Sequence, residues 1–184
     1  MQLFMLKIGA TLPGRLIEQH DVLFGIAAQA PDLAATIDTA WPEAAGRWHI
    51  DCWRAVTRVD GHRITVLPRA QAQESGLKLF FINLGGYRRG DFEEYHHKML
   101  LVAPDMATAV RRAKESAFYR DFDFPGAVSH IDDQLAVDVD DIHIVGDVLS
   151  AADGAQYTLC IEPEADGSED TLHIGYISRK KFTP

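Results

Sequence analysis

The chain has 184 residues, enough for one domain or two small ones, and its apolar fraction of 47% can fill a sizeable core. A net charge of −9 and a pI near 5.3 argue against nucleic-acid binding, because an acidic surface repels phosphate backbones and the basic pairs Arg88-Arg89, Arg111-Arg112 and Lys180-Lys181 are too scattered to make a footprint. Two distant cysteines (Cys52, Cys160), no basic leader and no run of the ~18 to 20 apolar residues a membrane helix needs together predict a cytoplasmic protein with no membrane partner.

In chain order, Gln2–Ile8 is a short apolar run ended by Gly9 and reads as a buried strand. Gly9–Arg15, with Pro13-Gly14, reads as a loop. His20–Ala27 alternates Val22, Phe24 and Ile26 and predicts a second strand, although Leu16, His20, Leu23 and Ala27 would also fit a helical stripe. Pro31-Asp32 opens a short helix that Pro42 stops. Trp48–Thr57 and His62–Leu67 are two further strands, with Asp60-Gly61 as the hairpin turn between them.

The polar stretch 69–76 is a linker, and the plan then repeats. Lys78–Leu84 and His97–Ala103 are strands. Asp105–Ser116 is a helix with Met106, Ala109, Val110 and Ala113 on its inner side. Leu135–Val139 and Ile142–Val148 are a hairpin around Asp140-Asp141. Tyr157–Ile161 and Thr171–Ser178 form a last strand pair, whose expected role is to cover an open sheet edge. The acidic turn Glu162–Asp170 and the basic tail Arg179–Lys181 read as solvated.

The repetition is visible residue by residue. Leu79–Ala103 aligns without a gap on Leu3–Ala27, at an offset of 76. Leu3/Leu79, Phe4/Phe80, Gly9/Gly85, Gly14/Gly90, Glu18/Glu94, His20/His96 and Ala27/Ala103 are identical. With gaps, Pro31-Asp32 matches Pro104-Asp105, and His49-Ile50-Asp51 matches His130-Ile131-Asp132. The expected fold is therefore α+β: two similar β-β-α-β-β repeats in pseudo-twofold relation, at 1–68 and 77–149, plus a C-terminal β-hairpin and tail at 150–184.

The two copies of Gly-x4-Gly-x3-Glu-x-His after a strand, with the later His-Ile-Asp, resemble a small bacterial family of the domain-of-unknown-function series, number fifteen forty-three. The resemblance covers about residues 1–150. It implies a bacterial origin and two copies of the family's unit, and it brings no activity, cofactor or catalytic residue with it.

Candidate chemistry comes from the paired polar residues. In extended chain the i, i+2 spacing puts Glu18 with His20, Glu94 with His96, His49 with Asp51, and His130 with Asp132 on one face each. Two imidazoles and two carboxylates per repeat suit a divalent transition metal or an acid/base pair. The commoner use of such pairs is local hydrogen bonding that fixes turns and strand ends. Arg88 and Arg89, between glycines, could hold an anion. The phosphate-loop lysine is absent, however, and the first copy has Leu12-Pro13 there. The aromatic groups Trp41, Trp48, Trp53 and Phe118, Tyr119, Phe122, Phe124 read as core rather than pocket. No Gly-x-Ser-x-Gly and no full calcium-loop pattern is present. Three functions remain open. The one placed first is a non-catalytic binding module for a small molecule or protein partner. The others are a metal-dependent or acid/base enzyme using Glu-x-His and His-Ile-Asp, and an assembly protein acting through homodimerisation.

Overall fold

A computed structural model describes residues 1–72, 75–122, 126–127, 129–131, 141–164 and 166–183, with the backbone alone described at 130–131. The strands are β1 (Gln2–Ala10), β2 (Gln19–Ala27), β3 (His49–Ala55), β4 (Arg58–Val59), β5 (His62–Pro68), β6 (Lys78–Tyr87), β7 (Glu94–Ala103), β8 (His130–Ile131), β9 (Ile142–Ile144), β10 (Tyr157–Pro163) and β11 (His173–Ser178). The helices are α1 (Ala34–Ala40), α2 (Met106–Lys114), α3 (Ala117–Asp121), α4 (Ala151–Gln156) and α5 (Arg179–Phe182). The mixed, mostly antiparallel α+β class is as expected. The chain divides into two compact units, Met1–Gln73 with Leu149–Pro184, and Glu74–Val148.

The first unit holds a four-stranded sheet in the order β11-β3-β1-β2 and a three-stranded one in the order β10-β5-β4. Period-two alternation in β1 sends Phe4, Leu6, Ile8 and Ala10 to one face, where they meet Leu23 and Ala27 of β2, Ile50 of β3, and Leu33 and Ile37 from the helical segment. Gly25 lies on this face because a Cβ there would sit 2.6 Å from Leu33 Cδ2. The opposite face of β1 carries Lys7 and Gly9, and the site described below is built on it. A register shift between Lys7 and Ile8 leaves Asp51 as an extra residue of β3, between the pairs Ile8↔Ile50 and Lys7↔Cys52. Such a bulge re-aims side chains locally.

Three expectations need correction here. The predicted hairpin turn at Asp60-Gly61 exists, and both residues have positive φ (53° and 67°), as a two-residue primed turn requires. It joins β5 to the short β4, however, and β3 stays in the other sheet. Asp170 stabilises that strand switch, accepting hydrogen bonds from the Thr57 and Arg58 amides (2.9 and 3.0 Å) and from the Thr57 hydroxyl. The acidic turn is thus partly structural, with Glu162 and Glu164 paired to Arg63 and Arg58. Second, β10 and β11 do not form a hairpin with each other. β10 pairs β5 and β11 pairs β3, so each closes the edge of a different sheet. Third, the basic tail is solvated only in part, at the exposed Lys180 and Lys181. Residues 179–182 are helix α5, Phe182 is buried against Trp48, and Arg179 grips Asp38 through Nη2–Oδ2 and Nε–Oδ1 contacts of 2.6 and 3.1 Å.

The second unit is built on β6, which pairs β7 on one side and β8 then β9 on the other. Phe80, Ile82 and Leu84 pack with Leu101, Ala103 and the buried Ala109 and Ala113 of α2. Asp105 caps α2 by accepting from the Thr108 amide at 2.7 Å. Met106, expected on the inner side of that helix, is exposed instead. The predicted strand Leu135–Val139 lies outside the described residues, as does Phe124.

Both units use the same register. Gln2↔Ala27 through Gly9↔His20 in the first corresponds, at the offset of 76, to Lys78↔Ala103 through Gly85↔His96 in the second. The His-Ile pairs also dock equivalently, Gly9↔His49 with Ile8↔Ile50, and Gly85↔His130 with Leu84↔Ile131.

Candidate metal centre

Gly9 sits on a central strand, and its cross-strand neighbours are His20 on β2 and His49 on β3. The three residues form one row on one face of the sheet. Both imidazoles lean over the glycine: a Cβ at position 9 would stand 2.4 Å from His49 Nε2 and 3.0 Å from His20 Cδ2. The role of Gly9 is therefore close approach; the strand does not end at this glycine, as the sequence reading expected, but runs on to Ala10.

The carboxylates complete the row. Glu18, one residue before β2, brings Oε2 to 3.5 Å from His20 Nε2 and 3.7 Å from His49 Nε2. Asp51 faces the same two nitrogens from the bulge, Oδ1 at 3.2 Å from His49 Nε2 and Oδ2 at 3.1 Å from His20 Nε2. Glu18, His20 and His49 each place one ligand atom within 4.8 Å of the others. Asp51 Oδ2 is buried and accepts no hydrogen bond of acceptable geometry, although Lys7 Nζ lies 3.7 Å away. His49 is 4% exposed, and the Tyr176 ring of β11 stacks on it at 4.4 Å between centroids. Glu18, His20 and His49 of the first copy thus bring their ligand atoms together, and Asp51 flanks both rings through its two oxygens.

The cluster borders a cleft of about 430 Å³, walled by Leu12, Pro13 and Tyr176 beside Thr11 and Arg47, with Glu18 and His49 also in its lining. Gly9, Arg47 and Tyr176 were not among the predicted site residues. The glycine had a signal, since it recurs as Gly85. Tyr176 had none, because it reaches the site from a strand more than a hundred residues downstream.

All four cluster residues fall inside a segment, residues 15–66, that matches the family model described as Domain of Unknown Function (DUF1543). This segment belongs to DUF1543. No curated protein matches the chain. Among solved structures, the crystal structure of a protein Il1583 from Idiomarina loihiensis is similar in fold, with a TM-score of 0.58, 21% identity and 96% of each chain covered.

Outside the DUF1543 segment, the second unit differs in detail. His96 Nε2 is 4.0 Å from Glu94 Oε2, and the Tyr87 hydroxyl donates to Glu94 Oε1 at 2.6 Å. The residue equivalent to Tyr87 in the first unit is Thr11, which leaves Glu18 to face the histidines. The His130 side chain and Asp132 lie outside the described residues. Arg88 and Arg89 are exposed, and Arg88 stacks its guanidinium 4.8 Å from the Phe122 ring. The other histidines serve locally. His62 Nδ1 contacts the Asp60 carbonyl at 2.7 Å, and His173 lies flat on Trp53 at 3.9 Å. His97 stacks on Phe118, where burial and the charge of Lys98 hold its imidazole below the usual pKa. Trp48 is buried, and Trp41, Trp53, Phe118 and Tyr119 pack against the two cores.

Proposed function

We propose that the protein binds a divalent transition metal, zinc being the best match, through His20, His49, Glu18 and Asp51. The observation that carries this reading is the convergence of two imidazole Nε2 atoms and two carboxylates. Ligand bonds of about 2.0–2.2 Å in a tetrahedral site separate neighbouring ligand atoms by roughly 3.3–3.6 Å. Glu18 Oε2 lies 3.5 and 3.7 Å from the two Nε2 atoms, close to that spacing, while Asp51 offers Oδ2 to His20 at 3.1 Å and Oδ1 to His49 at 3.2 Å. Asp51 Oδ2 is buried and makes no hydrogen bond of acceptable geometry, with His20 Nε2 at 3.1 Å and Lys7 Nζ at 3.7 Å facing it. Local imidazole–carboxylate hydrogen bonding is the competing account.

The test is zinc stoichiometry by elemental analysis after dialysis, with affinity by calorimetry. Wild type is expected to hold zinc. His20→Ala and Glu18→Gln, both partly exposed positions, should each remove one equivalent, and His62→Ala should remove none. Equal stoichiometry in all four proteins would sink the assignment.

The wider reading is a duplicated β-β-α-β-β scaffold in a bacterial, cytoplasmic protein. The common register supports the duplication, and the free Cys52 and Cys160 suit a reducing compartment. Of the two copies, only the first has all four site residues described.

A further inference from the structure

We infer that the cleft beside the metal takes a small molecule carrying an oxyanion, carboxylate or phosphate, held between Arg47 and the metal. The inference rests on the metal reading above and adds the class of ligand. Arg47 follows a reversal in which Ala45 (φ 48°) and Gly46 (φ 69°) are both left-handed and the Arg47 amide donates to the Ala44 carbonyl at 2.9 Å. This tight return precedes His49 by two residues and places Arg47 in the lining of the cleft. Arg47 is exposed, and among the described residues its guanidinium has no carboxylate partner and no hydrogen bond. Arg58, Arg63 and Arg179 of the same unit are each paired to an acid.

The charge balance points the same way. With a divalent ion balanced by Glu18 and Asp51, the positive charges that remain are Arg47 in the cleft lining and Lys7 beside Asp51. A guanidinium presents two parallel N–H donors that match the two oxygens of a carboxylate or phosphate. The remaining walls, Leu12, Pro13 and the Tyr176 ring, offer apolar contact to the body of such a molecule. A volume of about 430 Å³ falls in the range of small-molecule sites.

The probes are benzoate and phenylphosphonate, which share a ring and differ in the oxyanion. Each is titrated calorimetrically into zinc-loaded wild type, Arg47→Ala and Arg47→Lys, with zinc stoichiometry measured on the same samples. At least one probe should bind wild type. Arg47→Ala should weaken it about ten-fold or more, the usual scale for losing a charge-assisted pair, at unchanged zinc content. Arg47→Lys should fall between, and the preferred probe identifies carboxylate or phosphate. Binding of neither probe, or equal affinity in Arg47→Ala, overturns the inference. If wild type takes up no zinc, the metal reading fails on its own measurement. The metal-free titration then decides the anion site: loss of binding on Arg47→Ala keeps it, and no binding removes it.

Discussion

Substituting Gly9 by alanine separates backbone effects from site effects. Gly9 lies inside β1 with no positive φ, so any residue can adopt its conformation. On backbone entropy alone, Gly9→Ala should stabilise by roughly 0.5–1 kcal/mol. The added Cβ, however, would stand 2.4 Å from His49 Nε2 and 2.7 Å from Cε1, and 3.0 Å from His20 Cδ2. His49 cannot swing away freely, because it is buried and stacked on Tyr176. Relieving the overlap needs a shift of about 1 Å, and overpacking of this kind costs ~1–3 kcal/mol. The net expectation is destabilisation by about 1–2 kcal/mol, with zinc affinity falling at least ~10-fold because a ligand atom is displaced. Gly14→Ala is the control. Its φ is +77° with open space around it, so alanine should cost about 1 kcal/mol of strain and leave zinc binding intact. Urea unfolding followed by tryptophan fluorescence measures the first quantity and calorimetry the second. A Gly9→Ala protein that is more stable than wild type and binds zinc equally well would refute the placement of the two rings over Gly9.

Two further predictions concern the first unit. Asp38 accepts from the buried Trp48 indole (2.7 Å) and from Arg179. Asp38→Ala should therefore cost about 1–3 kcal/mol by orphaning the indole N–H, and Arg179→Ala, a partly exposed ion pair, only ~1 kcal/mol or less. The hydrogen bond from Arg179, then that from Trp48, hold the Asp38 carboxyl below its ordinary value of 3.8. A depressed folded pKa contributes stability that is fully present above the unfolded pKa and is lost as pH falls through the folded one. Asp38→Asn should accordingly lose part of the stability drop that wild type shows below about pH 4, as read by urea midpoints across that range; parallel curves would count against it. Asp170→Ala removes the acceptor for two amides and a hydroxyl at the switch between sheets. It should cost ~2–3 kcal/mol and speed hydrogen exchange at the Thr57 and Arg58 amides, and unchanged exchange there would contradict the role given to Asp170.

Much of the local structure was legible in the sequence for physical reasons. Alternation in Phe4, Leu6 and Ile8 marks a strand with one core face, and Asp60-Gly61 marks a primed turn whatever it joins. The i, i+2 spacing in Glu18/His20 and His49/Asp51 puts each pair on one face in regular extended chain, although Glu18 precedes β2 and Asp51 sits at a bulge. The duplication, being an identity of residues, foretold the identical register of β1-β2 and β6-β7. Beyond that, periodicity says which face a residue takes and is silent on which strand lies beside it.

Those neighbours came from the tertiary structure. His20 and His49 are 29 positions apart, and they meet because β1 lies between β2 and β3 with Gly9 opposite both. The bulge that turns Asp51 toward them, the departure of β5 to a second sheet, and the arrival of Tyr176 and Arg179 from the far end of the chain are all non-local. Each is decided by which packing buries the most apolar surface while satisfying the edge hydrogen bonds, a sum over the whole unit that no window of sequence contains. The sequence by itself determined which residues are chemically able to form a site and which faces they occupy. Only the packed sheet brought Glu18, His20 and His49 together, with Asp51 beside them.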